Sequence, residues 1–159
     1  MAAFVIASLI ESAVTSFFVT KVKSIRETLV VGINDLGSVE ANAHLIKYDS
    51  THGILNNDVK TTKEGFQIGD QNIKVFAERD PANLPWGKIG ADIVLECTGL
   101  FLNKETAGKH LKAGAKKVII SAPAKDVDFT IVQGVNSKKL NKEHNIISNG
   151  SCTTNCLAP

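Results

Sequence analysis

The last nine residues, Ser151-Cys152-Thr153-Thr154-Asn155-Cys156-Leu157-Ala158-Pro159, set a thiol among hydroxyl and amide side chains. A cysteine nucleophile reacts as its thiolate, and the unpaired N–H groups in the first turn of a helix favour that form. Residues 145–148 read as a short apolar strand, and the chain from Ser151 onward reads as a helix start with side chains able to cap it. A strand–turn–helix elbow therefore presents Cys152 as a candidate nucleophile. Cys156, four residues further on, reads as structural, and Cys97 reads as a core residue at a strand end. The Cys152–Cys156 spacing differs from the C-x-x-C of redox and zinc motifs.

The elements that must hold this elbow follow from pattern. The chain has 159 residues, 43% of them apolar and 21% charged, and a formal charge of +2. That is enough chain for one domain with a sizeable core. So small a charge, without basic–aromatic interleaving, gives no reason to expect a nucleic-acid partner. Three cysteines without metal-like clustering point to a reducing compartment and to no metal site. Residues 2–22 are rich in apolar side chains. Glu11 interrupts the run, however, no positive residue precedes it, and no small-residue cleavage site follows. The expectation is a weak strand at 4–7 and an amphipathic helix over 9–22, capped by Ser8 with Glu11, and no membrane anchor.

Further strands are expected at 29–33, 73–76, 93–97, 118–121, 129–132 and 146–148. Helices are expected at 39–48 and 104–113, and a hairpin between 60 and 76. Near-continuous apolar strands alternating with helices predict a Rossmann-like, doubly wound α/β fold: a mostly parallel sheet with helices on both faces. Ligands of such sheets bind beyond the carboxyl ends of the strands. Those ends offer Asp35, an acid placed to accept from ribose hydroxyls; Thr98-Gly99, a small pair; Ser121; and finally Cys152. His110, in a lysine-bearing helix, reads as a surface residue.

These residues carry a resemblance. The run from Ser148 to Pro159 resembles the active-site signature of phosphorylating glyceraldehyde-3-phosphate dehydrogenase. Gly32-Ile33-Asn34-Asp35, the run His44 to Ser50, Asn83-Leu84-Pro85-Trp86 and the stretch from Ala107 to Lys117 resemble the same family in the same order. The resemblance covers 30–159. It implies an NAD-dependent oxidation of D-glyceraldehyde 3-phosphate to 1,3-bisphosphoglycerate: a cysteine thiolate adds to the aldehyde, hydride passes to the nicotinamide, and inorganic phosphate cleaves the thioester. By resemblance Cys152 is the nucleophile, and Ser151 and Thr153 hold substrate phosphate or inorganic phosphate. Asp35 binds the adenine ribose, and Leu36 after it follows the NAD-using pattern. Arg79 lines the adenine side, while Thr98, Gly99 and Ser121 stand near the pyrophosphate and the nicotinamide. The resemblance also implies a glycolytic, cytoplasmic homotetramer with a small-molecule substrate. Erythrose-4-phosphate dehydrogenase shares the motif and is the enzymatic alternative.

The sequence departs from this family at two places. The family opens with a strand, a G-x-G-x-x-G turn and a helix whose N-terminus holds the pyrophosphate; here no glycine precedes Gly32. The family's base, a histidine on a second domain, follows the cysteine; here His44, His52, His110 and His144 all precede Cys152. The expected organisation is an atypical segment at 1–28, a dinucleotide-binding domain at 29–150 and the start of the active-site helix at 151–159, with the catalytic domain absent. Such a chain is expected to be inactive alone. The alternative of a different class is a non-catalytic fragment with residual nucleotide binding.

Overall fold

The computed structural model describes the backbone of residues 17–24, 27–50 and 53–159, with side chains from residue 29 onward. The strand expected at 4–7 and the first part of the helix expected at 9–22 lie outside the described residues.

Eleven strands and three helices are described: β1 (Phe17–Ser24), β2 (Glu27–Asn34), α1 (Val39–Lys47), β3 (Tyr48–Asp49), β4 (Gly53–Ile54), β5 (Val59–Thr62), β6 (Gly65–Ile68), β7 (Gln71–Phe76), β8 (Ile93–Glu96), α2 (Lys104–Lys112), β9 (Lys117–Ile120), β10 (Phe129–Thr130), β11 (Ile146–Ser148) and α3 (Cys152–Leu157). Nine of the strands form one sheet in the order β10-β11-β9-β8-β1-β2-β7-β6-β5. The pairs β10/β11, β11/β9, β9/β8 and β2/β7 are parallel. The hairpin region expected between 60 and 76 is an antiparallel meander of β5, β6 and β7 at one edge.

Between the two parallel halves lies β1, which runs antiparallel to both β2 and β8. The expected helix is therefore corrected over residues 17–22, which are strand. The β-branched residues Val19, Thr20 and Val22 suit an extended backbone, and a ladder on each side occupies the backbone groups that a helix would have paired internally. A helical period in apolar residues is a weak signal when two open sheet edges compete for the same segment.

Cβ alternation along β8 builds a core on each face of the sheet. Val94, fully buried, joins Val118, Ile120, Ala107 of α2 and Trp86. Leu95, on the other face, packs against the cluster of Ile33, Phe66, Ile73 and, from α1, Ala43 and Ile46. Both covering helices start on side-chain caps: Ser38 Oγ accepts from the Ala41 amide at 3.1 Å, and Asn103 Oδ1 from the Thr106 amide at 2.9 Å. Among the described residues no helix is long and apolar enough to cross a membrane.

Candidate cofactor edge and cysteine elbow

Strand register sets the site. Phe17 of β1 pairs with Asn34 on one side and Glu96 on the other. Glu96 pairs with Ile120, and Ile120 with Ser148. The carboxyl ends of β2, β8, β9 and β11 are thus level along one edge of the sheet. The residues that follow them, Asp35, Thr98 with Gly99, Ser121 and the Ser151–Cys152 elbow, share that edge.

At the β2 end, Asp35 is buried, with 7% of its surface exposed. Its Oδ1 accepts from the Gly37 amide at 2.6 Å and from Asn42 Nδ2 at 3.4 Å. A Cβ on Gly37 would stand 2.8 Å from that oxygen, so the turn tolerates only glycine without a shift of the carboxylate. Asn34 reaches across to the segment after β7: its amide donates to the Glu78 carbonyl at 2.9 Å and its carbonyl accepts from the Glu78 amide at 2.8 Å. This clasp carries the exposed Arg79 to the edge. Asp80 then accepts from the Ala82 amide and pairs with Lys109, and these two partners, in that order, lower its pKa.

A cavity of about 240 Å³ opens here, with Asn34, Leu36, Glu78 and Arg79 on one side and Thr98, Leu100 and Phe101 on the other. Thr98 and Arg79, expected from the sequence at the cofactor site, both line it. Gly99, between the lining residues Thr98 and Leu100, turns at φ +73°, where a left-handed backbone favours glycine. Ser121 does not line this cavity. Its backbone amide donates to the Glu96 carbonyl at 2.9 Å, and its side chain is hydrogen-bonded to Cys97. Burial pushes the Cys97 thiol up to about 11, against the partial relief of that hydrogen bond.

The elbow at the far end of the edge is tightly pinned. Ser148 Oγ donates to the Ala122 carbonyl at 2.8 Å and accepts from the Gly150 amide at 3.1 Å. Gly150 turns the chain at φ +68°, and Asn155 Nδ2 ties back to the Asn149 and Ser151 carbonyls at 2.6 and 2.9 Å. Ser151 caps α3, accepting from the Thr154 amide at 3.0 Å, and its hydroxyl also meets Thr153 and Thr154 at 2.9 and 2.7 Å. Cys152 opens the helix and is exposed, as are Thr153 and Cys156.

Sequence reasoning missed Asn34, Glu78 and Glu96, and it misread His110. His110 is fully buried, stacked beside Trp86 rather than on the surface. The lysines flanking it marked a polar helix face but not the direction in which the ring points. Among the described residues no group of three His, Cys, Asp or Glu side chains is placed to hold a metal ion.

Along residues 15–104 the chain matches the family described as glyceraldehyde 3-phosphate dehydrogenase, NAD binding domain. The chain belongs to this family, a set of Rossmann-type, NAD-binding oxidoreductase domains. Curated relatives include glyceraldehyde-3-phosphate dehydrogenases of Zymomonas mobilis (61% identical over 131 residues), Geobacillus stearothermophilus (58% over 131) and the plasmid-encoded enzyme of Cupriavidus necator (56% over 131). Each alignment covers 82% of this chain and 39% of the relative, so the chain spans about two fifths of those proteins' length.

The described residues fit one end of NAD. A cavity beside a fixed carboxylate, with Arg79 at its rim, suits an adenosine. The pyrophosphate end does not fit the same way. Because β1 runs antiparallel, its carboxyl end, Ser24, lies at the opposite edge of the sheet from Asn34. The described central strand therefore feeds no turn and helix N-terminus toward the phosphates.

Proposed function

We propose that this chain is the cofactor-binding half of a phosphorylating glyceraldehyde-3-phosphate dehydrogenase, organised as a dinucleotide-binding domain at 29–150 followed by the start of the active-site helix at 151–159. The observation that carries the reading is the level edge running from Asn34 through Glu96 and Ile120 to Ser148. It brings the 240 Å³ cavity and the exposed Cys152 to the same edge of one sheet. In this reading Asp35 accepts from the ribose hydroxyls and Arg79 flanks the adenine. Thr98, Gly99 and Ser121 approach the middle and the nicotinamide end of the cofactor. The Cys152 thiolate adds to the aldehyde carbon of D-glyceraldehyde 3-phosphate, and Ser151 and Thr153 hold the substrate phosphate or the inorganic phosphate that releases the acyl group. NAD supplies the hydride acceptor. In the complete enzyme so proposed, a general base and further phosphate ligands complete the site. The complete enzyme is proposed to be cytoplasmic and homotetrameric, with neither nucleic acid nor membrane as partner.

The direction of β1 favours a second reading, in which this chain recognises the adenosine moiety and gains little from the rest of the dinucleotide. Calorimetric titration of the folded chain with NAD and with AMP separates the two. Affinity for NAD well above that for AMP supports the dehydrogenase half. Equal affinities support adenosine recognition alone, and the absence of heat with either ligand overturns both.

A further inference from the structure

The proposed chemistry leaves unused a buried polar chain that ends at the nucleotide edge. Trp86, Glu96 and His110 are all fully buried. Trp86 Nε1 donates to His110 Nδ1 at 3.0 Å. An indole N–H can only donate, so Nδ1 accepts and the ring hydrogen sits on Nε2. That Nε2 faces Glu96 Oε2 at 3.3 Å. The other carboxylate oxygen, Oε1, accepts from the Thr98 amide at 2.7 Å and from the Thr98 hydroxyl. The hydroxyl, having donated its hydrogen to Glu96, accepts from the Leu100 amide at 3.1 Å. Every donor in this set has one direction available to it. Phe101 adds a second link, meeting the His110 ring edge-on with centroids 6.3 Å apart. Thr98, Leu100 and Phe101 form one wall of the 240 Å³ cavity.

We propose that Glu96 is a positioning residue for the Thr98–Leu100 turn of the nucleotide site, and that Trp86, acting through the His110 tautomer, holds Glu96 in the conformer that does so. The proposal rests on reading this edge as a nucleotide site. A buried carboxylate without acceptor work to do is costly; here its two oxygens are divided between the core and the turn. The turn has no regular structure of its own, so its placement depends on these side-chain bonds.

The test combines three readouts on the whole chain: the imidazole nitrogen spectrum of His110, amide hydrogen exchange at Thr98 and Leu100, and AMP affinity by calorimetry. The wild type is expected to show the Nε2–H tautomer. Glu96→Gln replaces one of the two accepting oxygens with an NH2 donor, which must face either the His110 Nε2–H or the Thr98 amide and breaks the order at that point. We expect exchange at Thr98 and Leu100 to speed by about tenfold or more, and the AMP dissociation constant to rise by about fivefold. Val118→Ala, a cavity variant in the same core cluster, is expected to leave both within about twofold after its lower melting temperature is taken into account. An Nδ1–H tautomer, unchanged exchange in Glu96→Gln, or equal effects from Val118→Ala would each overturn the proposal. If Glu96→Gln does not fold, Trp86→Phe removes the distant donor together with part of the indole's packing on Phe76 and His110. Exchange at Thr98 that is faster than in Val118→Ala at matched stability then supports the relay, and exchange no faster than in Val118→Ala overturns it. A wild type that does not bind AMP overturns the nucleotide reading alone, and the exchange rates still decide whether Glu96 fixes the turn.

Discussion

Asn34 and Glu78, 44 residues apart in sequence, clasp each other through two reciprocal hydrogen bonds at 2.9 and 2.8 Å. Asn34 is 2% exposed, and a single side-chain amide satisfies both the N–H and the C=O of Glu78. This clasp joins the end of β2 to the segment that carries Arg79, so it forms one wall of the cavity as well as a piece of the fold. Replacing Asn34 with Ala leaves both Glu78 groups without this partner. Each lost bond of this kind costs about 1–1.5 kcal/mol, so the pair is expected to cost about 2–3 kcal/mol in urea denaturation. AMP affinity should fall further than in a variant of equal stability elsewhere in the core.

Gly37 stands against Asp35 more closely than any side chain permits. Its Cβ would lie 2.8 Å from Asp35 Oδ1. Gly37→Ala therefore has to displace the carboxylate that the Gly37 amide holds. The expected outcome is a loss of AMP affinity of about fivefold to tenfold with a stability change under about 1.5 kcal/mol. Calorimetry and thermal melts on the same sample check both. Unchanged binding would remove Asp35 from the nucleotide site.

Cys97 should separate from the two exposed thiols by reactivity. Cys97 is partly buried, and its thiol is pushed up to about 11. Cys152 and Cys156 are exposed on α3. At pH 8, iodoacetamide is expected to label Cys97 about tenfold or more slowly than Cys152, because the thiolate is the reacting form. Peptide mapping over a time course reads this directly. Equal rates at all three in a folded sample would mean that Cys97 is not protected as described.

Asp128 couples pH to stability. Lys104 Nζ approaches its Oδ1 at 2.6 Å, and the Asn145 and Ile146 amides donate to Oδ2 at 2.9 Å each. The Lys104 hydrogen bond is the largest cause holding this carboxyl down to about 2, with the two amides adding to it against partial burial. A carboxyl depressed in the folded state stabilises above its unfolded pKa and loses that contribution as pH falls toward its folded value. Asp128→Asn is expected to cost about 1–2 kcal/mol at pH 7, discounted for the exposed lysine. The two proteins' urea midpoints should converge as pH drops from 5 toward 3. A constant difference across that range would argue against the ionic origin.

Much of this architecture is written locally. The apolar runs at 29–33, 93–97, 118–121 and 146–148 predict strands that occur, since a buried parallel strand needs little beyond a short apolar run with turn residues at its ends. The helices that begin after Ser38 and Asn103 carry their caps in their own sequence. The identities of Asp35, Thr98, Gly99 and Cys152 at strand ends are equally local.

What the sequence alone determined, then, is the set of elements and the chemistry standing at their ends. Tertiary structure decided the rest, because it depends on contacts between distant residues. Residues 17–22 carry a helical apolar period, yet they form β1 because β2 offers a ladder along them and β8 a second one at 17–20. His110 sits among lysines, yet it turns inward because Trp86 and Glu96 supply a donor and an acceptor from two other segments. A side chain's periodicity fixes which face it can occupy. Only the assembled sheet fixes which partners wait there, and here they set the wall of the cavity formed by Thr98, Leu100 and Phe101.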